Sequence, residues 1–216
     1  MKTVGLIFDL DGTLLDTLGD LHDSVSYALD QVGLPARSLA EIRRFVGNGA
    51  RNLITKAVEG RADVDEVLSL FQAHYAAHCQ IKTAPYLGIV PVLEKLMEVY
   101  PVAIVSNKPD GAVKTLCRQY FPGVPAWGET PDCPRKPAPD LVWKAMKELD
   151  VKEGIYIGDS EVDVITARNA GIPCVSVLWG FRDREEIEMH GGAHFCESPE
   201  QLPDMIVKIA GEQNGK

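Results

Sequence analysis

The chain has 216 residues, 45% hydrophobic and 25% charged, a balance that fits an ordinary folded protein and excludes disordered or fibrous readings. A net charge of -9 argues against a non-specific grip on nucleic acid or on an anionic membrane, and leaves small substrates open. Cys79, Cys117, Cys133, Cys174 and Cys196 are scattered without a C-x-x-C pair, so neither a disulfide framework nor a zinc knuckle is expected.

Taken in chain order, 4–10 reads as a short, almost continuously apolar strand of the kind covered on both faces in a parallel sheet. Asp9 and Asp11 interrupt this run far short of a signal-peptide core, and no later run approaches ~18 apolar residues, so a cytoplasmic protein is expected. The interval 17–82 looks helical throughout: Leu18, Leu21, Val25 and Leu29 share one helical face, and Val64, Val67, Leu68, Phe71 and Tyr75 share another. It is too long for a loop and reads as an inserted helical cap, with hinges at 15–18 and 84–88.

Apolar strand-like runs return at 102–105, 155–157 and 174–178, separated by helix-like stretches. That alternation predicts an α/β fold: a Rossmann-like parallel sheet with helices on both faces. Gly171-Ile172-Pro173 should close the helix that begins near Glu161. Ser198-Pro199-Glu200-Gln201 should open the last helix with a capping box. The division predicted is a core of 1–16 and 83–216 around a cap of 17–82.

Chemistry concentrates where strands end. Asp9 and Asp11 are two apart, a spacing that puts strand residues on one side, and ligands of open parallel sheets collect at carboxyl ends of strands. Asp159 follows the strand 155–157, with Asp163 one helical turn on; Ser160 with an acid three residues later is also a capping box in its own right. Should these acids converge, two like charges 4 Å apart repel by roughly 4 kcal/mol at an effective dielectric near 20. A divalent cation resolves that repulsion. Hard oxygen ligands with no histidine nearby in sequence favour Mg²⁺, and its taste for carboxylates, water and a phosphate oxygen implies a phosphorylated substrate. Ser106-Asn107 after the strand 102–105 and Arg135-Lys136-Pro137 offer a hydroxyl, backbone N–H groups and cations for phosphate.

The ordered series Asp9-Leu10-Asp11-Gly12-Thr13, Ser106-Asn107, Lys136-Pro137 and Gly158-Asp159-Ser160-x-x-Asp163 resembles the four motifs of the haloacid dehalogenase superfamily, over essentially the whole chain. The resemblance implies Asp9 as nucleophile forming an aspartyl phosphate and Asp11 as acid/base. It further implies Ser106 and Asn107 at the phosphoryl oxygens and Lys136 offsetting their charge. Mg²⁺ would be held by the Asp9 carboxylate, the Asp11 carbonyl and Asp159, with Asp163 a direct or an outer ligand.

Asp16-Thr17, Asp20-Leu21 and the cap run from Phe45 to Arg51 look like the phosphoglycolate phosphatase branch, with Asn48, Gly49 and Arg51 as candidate substrate-facing residues. The implied activity is Mg²⁺-dependent hydrolysis of a small phosphorylated metabolite, best matched by 2-phosphoglycolate. A pyrophosphatase or nucleotidase of the same superfamily is an alternative. A β-phosphoglucomutase-like mutase fits less well, because its histidine would fall at Leu21 whereas this chain has His22. A metal-free dehalogenase would leave Asp11, Asp159 and Asp163 unexplained, and a receiver-like signalling module would be shorter and uncapped. Gly47-Asn48-Gly49 lacks the rest of a dinucleotide fingerprint, and His74 with His78 lacks the glutamate of a zinc-protease helix.

Overall fold

The computed structural model describes residues 4–214, the side chains of residues 213 and 214 excepted. Strand β1 (Val4–Phe8) leads through the two-residue β2 (Leu15–Asp16) into α1 (Leu18–Gln31), α2 (Leu39–Phe45), α3 (Gly49–Val58) and α4 (Val64–His78). The chain returns through β3 (Ala84–Pro85) to α5 (Ile89–Met97), β4 (Val102–Pro109), α6 (Asp110–Tyr120) and β5 (Ala126–Glu129). It continues with α7 (Asp140–Glu148), β6 (Glu153–Gly158), α8 (Glu161–Ala170), β7 (Cys174–Val177), α9 (Arg184–Met189) and β8 (His194–Cys196). A 3-10 turn (Pro199–Gln201) and α10 (Leu202–Asn214) complete it.

Six strands form one parallel sheet in the order β5-β4-β1-β6-β7-β8. Period-two alternation divides the strand side chains between two cores. Leu6, Phe8, Ile104, Ile155 and Ile157 pack on one face with residues of α5, α6 and α10, and Ile7, Ala103, Val105 and Tyr156 on the other with α7 and α8. Burial on both faces is why these strands read as continuous apolar runs. Successive strands leave β1 first toward β4 and β5 and later toward β6, so the direction of winding reverses at β1, and a crevice opens at its carboxyl end.

The interval between β2 and β3 folds into four helices that pack on one another, and Leu21, Val25, Leu29, Leu53, Phe71 and Tyr75 are buried among them. Leu15–Asp16 pairs antiparallel with Ala84–Pro85, so both crossings between the sheet and the helical cap run side by side. Asp20 reinforces the return, its carboxylate accepting the N–H groups of Ile81, Lys82 and Thr83 at 2.9–3.1 Å.

Gly171 closes α8 in the left-handed conformation, as expected. The capping box expected at Ser198 is not formed: the Ser198 side chain bonds no backbone N–H, and Gln201 Oε1 instead accepts from the Glu197 N–H at 2.7 Å, so the segment opens with a single 3-10 turn. Strand β4 runs on through Ser106, Asn107 and Lys108 to Pro109, beyond the apolar run that marked it. The edge strands β5 and β8 are four and three residues long, and β5 contains Gly128 and Glu129, so neither carries an apolar signature. Among the described residues no helix is long and apolar enough to cross a membrane.

Candidate active site

Asp9 follows β1 directly and lies at the winding reversal. Strand β1 stops at Phe8, so it is the turn beyond the strand that brings Asp9 and Asp11 to one cleft, and not strand alternation as the spacing suggested. The turn closes by Gly12 N–H to Leu15 carbonyl at 2.9 Å and Leu14 N–H to Leu10 carbonyl at 3.0 Å. Asp9 Oδ1 accepts the Leu10 N–H at 2.7 Å and faces Lys136 Nζ at 2.9 Å. Both interactions fall on Oδ1, which leaves Oδ2 for chemistry. Asp11 is held on one oxygen too, its Oδ1 accepting from Thr17 Oγ1 at 2.6 Å and Lys108 Nζ at 2.7 Å.

Lys136 reaches the site from the segment before α7 and is 2% exposed. Its three ammonium hydrogens match three partners: Asp9 Oδ1, Asp163 Oδ1 at 2.8 Å and Tyr156 Oη at 2.9 Å. Burial works against the ammonium, but Asp163 and Asp9 outweigh it and raise its pKa above the usual lysine range. Asp163 is filled in turn. Its Oδ1 takes Lys136 and the Tyr156 hydroxyl (3.1 Å), and its Oδ2 takes the Ser160 N–H (3.1 Å) and Ser160 Oγ (2.7 Å). The local capping role and a role in the site therefore coexist in one carboxylate.

Asp159 sits just past β6, with Oδ2 accepting the Phe181 N–H at 2.7 Å and Oδ1 a long 3.3 Å bond from Thr13 Oγ1. Gly12 and Gly180 close around it, and a side chain at either position would collide with the Asp159 carboxylate. Gly12, at φ 82°, also adopts a backbone that glycine alone takes without strain. Carboxylate oxygens of Asp9, Asp159 and Asp163 lie within 4.8 Å of one another, all three buried. Burial pushes Asp9 up to about 7, with Lys136 opposing and Asp163 adding to the rise. Burial likewise lifts Asp159 well above the usual carboxylate range, reinforced by Asp163 and Asp9. Such crowded acids fit a divalent cation, which would favour their ionised forms. Asp9 and Asp159 retain capacity for it, whereas Asp163, with four hydrogen bonds, has none to spare.

Ser106 is 2% exposed, and its Oγ accepts the Lys108 N–H at 3.2 Å. Asn107 ties core to cap: Nδ2 donates to the Lys136 carbonyl at 2.9 Å and to the Gly47 carbonyl at 3.0 Å. Both amide hydrogens are thereby used. The cap roofs the cleft with Leu21, Val46, Gly49, Leu53, Phe71 and Tyr75. Of the three cap candidates only Gly49 lines it. Asn48 precedes α3 without a side-chain cap bond, and Arg51 is half exposed, paired with Asp65 and facing a separate outer recess beside Gln72 and Glu129. His22 is also turned away, its Nε2 against the Arg37 carbonyl at 3.0 Å.

Residues 6–177 match the model of the haloacid dehalogenase-like hydrolase family. The chain belongs to that family. Similar to it is a phosphoglycolate phosphatase of Mesorhizobium japonicum, 32% identical over an alignment covering 95% of this chain and 97% of the relative. Another, from Agrobacterium fabrum, is also 32% identical, with 95% and 94% covered. A solved chain from Lactobacillus delbrueckii subsp. bulgaricus, provisionally named a phosphoglycolate phosphatase, superposes with a TM-score of 0.87 at 36% identity, covering 94% and 97%. A haloacid dehalogenase-like hydrolase from Streptococcus pneumoniae shares the fold at TM-score 0.86 and 22% identity, over 94% of this chain and 98% of that one.

The site of this haloacid dehalogenase-like hydrolase includes residues that sequence reasoning passed over. Lys108 stands two residues after Ser106 on a strand, a spacing that could have found it. Tyr75 read only as one of the apolar positions of α4. Arg182 had no local signal: it is 4% exposed, pairs with Glu161 at 2.9 Å, and donates to the Arg43 carbonyl at 3.0 Å and the Val46 carbonyl at 2.6 Å.

Proposed function

We propose that the chain is a Mg²⁺-dependent phosphatase of small phosphomonoesters, 2-phosphoglycolate first among them, working through an aspartyl phosphate on Asp9. The observation that carries this reading is the buried gathering of Asp9, Asp159 and Asp163 around Lys136 at the carboxyl end of β1. The substrate choice is supported by the phosphoglycolate phosphatases to which the chain is similar along nearly its full length.

Asp9 Oδ2 attacks phosphorus, the ester P–O bond breaks, and Asp11 delivers a proton to the departing alkoxide. Water then attacks phosphorus, Asp11 takes up its proton, and the bond from Asp9 to phosphorus breaks to release inorganic phosphate and restore both carboxyl groups. Each transfer depends chiefly on positioning and charge stabilisation. Lys136 fixes Asp9 by its Oδ1 and sets a positive charge beside the transferring group; Ser106 and the Asn107 backbone receive the phosphoryl oxygens. Asp9, the Asp11 carbonyl and Asp159 hold Mg²⁺, which supplies charge neutralisation when bound. Asp163 acts by orienting Lys136. The cap, 17–82, closes over the core, 1–16 and 83–216, and excludes water.

A Mg²⁺-supported hydrolysis screen over phosphoglycolate, sugar phosphates, nucleotides and pyrophosphate tests this reading. Phosphoglycolate is expected to give the highest kcat/KM, with activity lost in EDTA. Turnover that persists without divalent metal would overturn the assignment.

A further inference from the structure

We propose that the Tyr75 hydroxyl and the Lys108 ammonium form a cradle for a carboxylate on the leaving-group half of the substrate. This deepens, and rests on, the phosphoglycolate reading above.

The compartment that a leaving group enters has an apolar roof: Leu21, Val46, Leu53 and Phe71 offer it no hydrogen bond. Three cations border the cleft, and two are pinned by partners elsewhere. Lys136 has a partner for each ammonium hydrogen, and Arg182, although Nη1 and Nη2 each keep one N–H, is drawn toward Glu161 and the Arg43 and Val46 carbonyls. Lys108 differs. Its side chain is 3% exposed and donates to Asp11 Oδ1, while Nζ stands beside the Tyr75 hydroxyl and 4.7 Å from the centroid of its ring, so at least one of the three ammonium hydrogens remains free beside the cap.

Tyr75 supplies the second donor. It lines the cleft from α4 at 3% exposure, and its hydroxyl, close to the Lys108 ammonium, finds no acceptor for its hydrogen among the described residues. A buried hydroxyl left unpaired is costly, which makes a ligand acceptor the natural partner. Burial also raises the phenol pKa, so the group stays an O–H donor at any working pH. A cation and a neutral donor side by side suit a carboxylate, and a leaving group of two carbons keeps it close to the ester oxygen near Asp11. The same placement explains why Arg51, outside the cleft, is not needed for the anion.

The test compares 2-phosphoglycolate with ethyl phosphate, which has a methyl group where the carboxylate stands. The wild-type enzyme is expected to favour phosphoglycolate, and Tyr75→Phe to lower the ratio of the two kcat/KM values roughly 10-fold, mainly through KM for phosphoglycolate. Lys108→Met should lower the same ratio roughly 10- to 100-fold, in addition to any loss common to both esters. In Asp9→Asn protein, calorimetry should show phosphoglycolate binding weakened by Tyr75→Phe and inorganic phosphate binding retained. A wild-type enzyme with no preference for phosphoglycolate would remove the substrate reading and the cradle together. A clear wild-type preference that Tyr75→Phe and Lys108→Met leave unchanged would overturn the cradle alone.

Discussion

Arg182 Nη2 donates to the Val46 carbonyl at 2.6 Å, joining the loop after β7 to the carboxyl end of α2. The link is reciprocal, since Arg43 of α2 donates back to the Gly180 carbonyl at 3.1 Å. Gly180 and Phe181 also enclose Asp159, so one loop touches both the acid cluster and the cap. Arg182→Ala is expected to cost about 1.5–3 kcal/mol, the range for charged hydrogen bonds. Thermal melting should then fall by about 3–12 °C. Hydrogen exchange at 43–50 should accelerate more than exchange in β1. Unchanged exchange at 43–50 would show that the clasp does not hold the cap.

Asp9→Asn should abolish phosphate release while the circular dichroism spectrum and melting temperature stay close to wild type. The exchange keeps the size of the side chain and removes the anionic oxygen that attacks phosphorus. Appreciable turnover by this variant would remove Asp9 from the nucleophile's role.

Lys136 and Asp163 should separate stability from catalysis. Lys136→Met leaves Asp9 and Asp163 without their common cation, a change expected to cost about 3–5 kcal/mol. It should also lower kcat by about 10²–10³. Adding Asp163→Asn should restore much of the stability, read from urea denaturation, without restoring kcat. Recovery of both would mean that Lys136 serves only to neutralise Asp163.

In metal-free protein, burial pushes the Asp9 pKa up to about 7 and lifts that of Asp159, against ~4 in the unfolded chain. Between those values the folded state binds more protons than the unfolded one, so stability falls as pH rises through the window. Melting in EDTA is expected to drop from pH 5 to pH 8. Mg²⁺ should restore more at pH 8 than at pH 5, because it competes with protons for the same oxygens. A Mg²⁺ effect equal at both values would contradict a site built from these acids.

The sheet's central strands and the acids at their ends were legible in sequence because β1, β4 and β6 are buried on both faces and leave uninterrupted apolar runs. Asp9, Ser106 and Asp159 could be found for the same reason, each following such a run, whereas Lys136, in the segment before α7, was legible only through its Lys-Pro place in the motif series. Strands β5 and β8 could not, being edge pieces too short to show a period. Nor could Arg182 or the Lys108–Tyr75 pairing, which depend on how the cap seats on the core. Arg51 looked suited to an anion by residue type alone, but its face of α3 points to Asp65, and a single sequence does not reveal which way a cap helix is turned.

The narrow ribbon made by Leu15–Asp16 and Ala84–Pro85 has a wider bearing. To the sheet, everything between its two legs amounts to one loop whose ends stand a single strand spacing apart, and the entropy of closing such a loop grows only slowly with its length. A helical unit grafted at that point can be trimmed, extended or exchanged without reopening a strand, so the cap is free to change while the sheet and the acids at its carboxyl edge stay as they are.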